Sequence, residues 1–110
     1  MITVYHNLQP EVVARLADAA KSESYRPAIT DLELVAVVSC TDDFMEAFDH
    51  VIHRDGENWT ADPEVIVFGH PRARRSTQDG DIFVTREGLC HLVLPVGFRE
   101  IPGLRLPFLP

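Results

Sequence analysis

LELVAVVSC, Leu32 to Cys40, is the stretch on which the fold turns. It is the most apolar run in the chain and carries three valines, whose branched side chains suit a pleated surface. A run this apolar predicts a central strand covered on both faces. The residues on either side must then supply its neighbouring strands and the helices that cover it.

Immediately downstream, Thr41 or Asp43 can cap a helix, with Asp43 and Glu46 at capping-box spacing and Phe44, Phe48, Val51 and Ile52 forming an apolar stripe. His53 and Arg54 suit the negative end of that helix, and Asp55-Gly56 stops it. Upstream, Ile2 to His6 alternates as a strand does. Pro10 and Glu11 open a first helix whose Val12, Val13, Leu16, Ala17 and Ala20 are expected on one buried face. Tyr25-Arg26-Pro27 is a connection. Glu64 to Phe68 fits either a short strand or an extended connection.

Further on, Gln78-Asp79-Gly80 turns the chain into a strand over Asp81 to Thr85, and Arg86-Glu87-Gly88 turns it back into Leu89 to Leu94, a hairpin. Phe98 to Ile101 is expected as the last strand. The tail Pro102 to Pro110 is apolar but proline-rich, so it must dock rather than continue a helix or an inner strand. It can fold back on its own sheet or cover a neighbouring subunit. The order strand, helix, strand, helix, hairpin, strand predicts an α+β fold with a single small sheet and two helices packed on it, as one domain over residues 1 to 110.

Charge narrows the function. The net charge of -7 conceals an asymmetry: residues 1 to 69 hold 13 acids against 4 bases, and residues 70 to 110 hold 4 acids against 6 bases. Thr41 to Glu64 is the acidic centre. Such a field disfavours nucleic acid and favours basic protein surfaces. No stretch reaches the roughly 20 consecutive apolar residues of a membrane-spanning helix, and the N-terminus lacks the pattern of a secretory signal, so a cytoplasmic location is expected. Cys40 and Cys90 each sit in an apolar run, which predicts buried, reduced thiols.

The segment Arg75-Ser76-Thr77-Gln78-Asp79-Gly80-Asp81-Ile82, together with Gly97-Phe98-Arg99-Glu100-Ile101, resembles the pattern of small bacterial proteins and YodL-like domains from phages, plasmids and integrated elements. Gln78-Asp79 stands here where that pattern usually has serine and valine, and Cys90-His91 where an aromatic residue is common. The resemblance covers about the last third of the chain. It implies a mobile-element setting and carries no activity, cofactor or ligand with it.

Three groups of residues could carry function. Asp42, Glu46, Asp49 and His53 align on one helix face with His50 close by, a donor set suited to a divalent metal. No HExxH pattern or second ligand cluster completes it, so a solvated acidic face is the expectation and no metal or cofactor is assigned. Cys90 and His91 point to opposite faces of a strand and so do not form a dyad. With no nucleophile elbow or phosphate loop either, no enzyme is expected.

Arg72, Arg74 and Arg75 admit a basic rim for a protein partner, pairing with the acidic helix, or contact with DNA phosphates, the first two fitting the negative field better than the third. Trp59, in a polar stretch, is either a plug closing its loop or an exposed anchor. The resulting expectation is a non-enzymatic accessory protein of a mobile element. Its partner-binding face comprises Asp42, Asp43, Glu46, Asp49, Glu57 and Trp59, with Arg72, Arg74 and Arg75 as the rim. A DNA-binding regulator and a metal-dependent hydrolase are the alternatives.

Overall fold

A computed structural model of the chain describes residues 1–69 and 74–106, leaving aside the side chains of Ala19 and Ala20. Six strands form one sheet: β1 (Ile2–Asn7), β2 (Leu32–Val38), β3 (Val65–Val67), β4 (Ile82–Val84), β5 (Cys90–Val93) and β6 (Phe98–Glu100). Their spatial order is β3-β2-β1-β4-β5-β6, and every neighbouring pair is antiparallel. The α+β class with a single sheet is thus established. Glu64 to Phe68, open from sequence, contains an edge strand.

β1 lies between β2 and β4 and is buried along its whole length. The β1–β2 ladder contains a bulge: Val4 faces Ala36 but Tyr5 faces Leu34, so Val35 is the extra residue. The bulge lets Val35 and Ala36 join the same core, where strict alternation would have parted them. From Val35 to Val38 the strand is buried at every position, as the apolar run predicts, although β2 is second from the edge rather than central.

Two cores flank the sheet. One packs Ile2, Val4, Val35, Phe83 and Val93 against helix α3 (Phe44–His50), through Ala47, Val51, Phe44 and Phe48, and against Trp59. The other packs Tyr5, Ile82, Cys90 and Leu92 against helix α1 (Val12–Leu16), Tyr25 and the tail residues Leu104 and Leu106. The described part of the tail therefore docks on its own sheet; residues 107–110 lie outside the described set. His91 projects to the α3 side, its ring 4.6 Å from that of Phe44, while Cys90 faces the other core.

Both helical segments depart from the expected lengths. The first is split into α1 and α2 (Ala19–Ser24), because Asp18 accepts a hydrogen bond from the Lys21 N–H and so begins a new helix. Val12 and Leu16 are buried, but Val13 and Ala17 are exposed. α3 begins where expected, with the Asp43 side chain accepting from Glu46 N at 3.0 Å, and ends at His50 rather than His53.

Gly80 is required twice over. Its φ of +95° is the left-handed region, and a Cβ there would lie 2.6 Å from a Val12 methyl, so α1 packs directly on the turn into β4. Among the described residues, no helix is long and apolar enough to cross a membrane.

Candidate functional site

The arginines turn inward. Arg75 forms a bidentate pair with Asp81, Nη1 to Oδ2 at 2.7 Å and Nη2 to Oδ1 at 2.8 Å, and donates to the carbonyls of Asn7 and Ser76. Asp81 is fully buried and accepts two more hydrogen bonds, from the Asn7 and Gln78 N–H groups. One carboxylate thereby ties the end of β1 to the turn that launches β4. Arg74 donates to the Phe68 carbonyl and pairs with Glu33.

The expected basic rim is corrected on both described members, since their guanidinium groups are engaged within the chain, Arg75 by buried Asp81 and Arg74 by the Phe68 carbonyl and exposed Glu33. Neither pairs with the acidic helix. Arg72 lies outside the described residues. For DNA contact the same geometry counts against Arg74 and Arg75, whose donors are already committed.

Trp59 belongs to this framework. It is 3% exposed, its indole Nε1 donates to the Arg75 carbonyl at 2.7 Å, and its ring meets His6 edge-on. Its expected place on a partner-binding face is corrected: a tryptophan in a polar stretch is held inside because the 75–77 segment offers both a carbonyl acceptor and a buried wall. Ser76 Oγ accepts from His53 N, and Thr77 N donates to the Val51 carbonyl, so the same segment closes the end of α3.

His6 completes the interior, with Nε2 3.0 Å from Thr77 Oγ1. Burial, reinforced by the charges of Arg75 and Arg74, pushes its pKa down from 6.5 to about 3. Asp81, 3.8 Å from His6, is paired with Arg75, yet burial outweighs that pairing and pushes its own carboxyl above the ordinary range. Between pH 6.5 and 3 the unfolded chain binds a proton that the native chain refuses. The contribution of His6 to stability is therefore complete above pH 6.5 and is lost by up to about 1.4 kcal/mol per unit as pH drops through that window. Urea unfolding at pH 7 and 4.5 should register this loss for the wild type and a smaller one for His6→Gln; equal losses would contradict the assignment.

The acidic residues behave differently. Asp42, Asp43, Glu46, Asp49 and Glu57 are all exposed, and Met45 among them is 61% exposed. Beside the end of α3 opens a cleft of about 450 Å³, bordered by Asp49, Asp55, Glu57 and Asp62, with Arg54 as its one arginine. That arginine is paired with Asp49 at 2.9 Å. Among the described residues no three His, Cys, Asp or Glu side chains converge to hold a metal; Glu46 and Asp49 lie on α3, while Asp42 precedes it and His53 follows its end, so the expected alignment of the four on one helix face is corrected.

At the cleft's edge stands an arrangement the sequence did not point to. His50 Nδ1 lies 2.6 Å from Asp62 Oδ2, and its Nε2 lies 3.6 Å from Cys40 Sγ. Asp62 Oδ1 accepts from the Glu64 N–H at 2.8 Å, so both carboxylate oxygens are anchored. Burial raises the Asp62 carboxyl, but the hydrogen bonds from His50 and Glu64 and the charges of His50 and Arg54 outweigh it and hold the group below its ordinary range.

Cys40 is exposed, a correction to the buried thiol expected there; Cys90 is buried. The β2 ladders with β1 and β3 end at Val38, so Ser39 and Cys40 leave the sheet. No spacing rule links positions 40, 50 and 62. The signal available in sequence was only that a strand feeding directly into a helix places its last residues at the surface.

No family model matches this chain, and neither does any curated protein or solved structure. Fold and site together describe an antiparallel α+β sheet, pinned by the Arg75–Asp81 pair, with an acid-walled cleft beside the end of α3.

Proposed function

We propose that the chain is a small accessory protein that works, without a catalytic step, by binding a basic segment of a protein partner along α3 and in the cleft beside it. The observation that carries this reading is the cleft, where Asp49 is paired with Arg54 and Asp62 with His50 while Asp55 and Glu57 stand exposed beside them. A partner arginine entering there would meet carboxylates suited to bidentate hydrogen bonds in a partly desolvated setting. Met45 offers an apolar contact beside Asp42, Glu46 and Asp49. Single exposed ion pairs give only about 0–1 kcal/mol, so affinity must come from several carboxylates acting together.

A carboxylate-rich surface also fits the basic channel of a nucleic-acid enzyme. Inhibition of a host nuclease or defence complex is the specific form of the proposal, and the mobile-element setting is supported by the resemblance of the closing third. The test is affinity capture from the native host with the wild type and with Asp42→Asn/Glu46→Gln/Asp49→Asn, all exposed positions, with an unchanged circular-dichroism spectrum and urea midpoint required of the variant. The wild type should retain a basic partner at low salt that the variant loses. Equal capture by both, unaffected by salt, would overturn the proposal.

A further inference from the structure

We propose that Cys40, His50 and Asp62 form a nucleophilic thiol site at which the chain takes up an acyl group from a neutral or cationic activated ester or thioester. Asp62 Oδ2 at 2.6 Å from Nδ1 accepts a hydrogen bond, so the proton of a neutral imidazole is held on Nδ1. The lone pair of Nε2 is then directed at the group 3.6 Å away, the Cys40 thiol. This is the relation of nucleophile, base and orienting carboxylate that acyl transfer uses on unrelated folds.

The three residues come from separate elements and are held independently. Cys40 follows β2, His50 closes α3, and Asp62 caps the 3₁₀ turn at Trp59–Ala61, with its second oxygen fixed by Glu64 N. Cys40 is exposed, so a reagent can reach it, whereas Cys90 is buried against Leu104 and provides an internal control. His50 and Asp62 border the cleft whose carboxylates repel anionic donors; this selects neutral or cationic ones.

In the step itself, Nε2 of His50 takes the thiol proton as Sγ attacks the carbonyl carbon. A C–S bond forms, the bond from that carbon to the leaving oxygen or sulfur breaks, and the proton passes from His50 to the leaving group. No electron is gained or lost overall. Asp62 is a positioning residue, acting through the imidazole. The site shares His50 and Asp62 with the wall of the partner-binding cleft but turns on Cys40, which the partner-binding proposal does not use.

The test uses p-nitrophenyl acetate on the full chain, with intact-mass and peptide mapping. One acetyl group should appear on Cys40 and none on Cys90. His50→Ala should slow acylation at least about tenfold, and added imidazole should restore much of the rate, which a purely structural role would not allow. Asp62→Asn should slow it as well and shift the His50 ring tautomer in nitrogen NMR. Cys40→Ser should abolish labelling while leaving partner capture unchanged. The proposal is overturned if Cys40 reacts at the same rate in the wild type and in His50→Ala, if imidazole restores nothing, or if purified protein holds stoichiometric zinc through Cys40.

Discussion

Replacing Arg75 with alanine should destabilise the chain by about 3–5 kcal/mol, the cost of leaving a buried carboxylate without its partner. Asp81 is fully buried, and two of the four hydrogen bonds it accepts come from Arg75. Loss of the guanidinium also removes a donor from the Asn7 carbonyl at the end of β1. At about 4 °C per kcal/mol for a domain of this size, Tm should fall by about 12–20 °C.

Lysine at the same position should recover only part of the loss, because an ammonium cannot make the two parallel bonds. The double variant Arg75→Ala/Asp81→Ala should cost less than the two single changes together, since it removes the orphaned charge. Additive effects would show that the pair is not coupled. A change in Tm from Arg75→Ala no larger than that of an ordinary surface substitution, about 0.5 kcal/mol, would return Arg75 to the surface.

Trp59→Ala should be comparably severe, about 3–5 kcal/mol, by loss of a large buried side chain and the cavity left behind. The Arg75 carbonyl also loses its indole donor. Trp59→Phe separates the two contributions: most of the area remains, so the cost should fall to about 1–2 kcal/mol, near that of one buried hydrogen bond left unmade. As the single tryptophan in the chain, Trp59 also reports the transition in the wild type by its fluorescence. An alanine variant with wild-type urea midpoint would contradict burial and place the indole on the surface.

Much of the fold was legible because it is written locally. Gly80, Gly88 and Gly97 all adopt positive φ, and each stands at the turn where a strand begins or ends. Asp43 caps α3 as its spacing to Glu46 implies. The register of the sheet was not legible, since β1 pairs with β2 and with β4, and the latter lies some eighty residues away. The split of the first helix was hidden as well, because Asp18 reads as an ordinary polar residue until its carboxylate is seen to bond Lys21 N.

The candidate site follows the same division. The acidic face of α3 is a matter of composition and spacing, and its residues are exposed as expected. The destiny of the arginines is not, because Arg75 and Asp81 are only six residues apart yet meet through a turn whose geometry depends on β1 and Trp59. Cys40, His50 and Asp62 meet only when β2, α3 and the 3₁₀ turn are in place. Arg75 and Asp81 are thus matched to each other inside the fold, while the acids of α3 are left to face solvent.

The most direct measurement is a titration of the purified captured partner against the wild type and Asp42→Asn/Glu46→Gln/Asp49→Asn over a range of salt concentrations. An acid-driven interface predicts at least about a tenfold loss of affinity for the variant at low salt, about 1.4 kcal/mol, and a shallower salt dependence. An identical Kd and an identical salt slope for the two chains would contradict it.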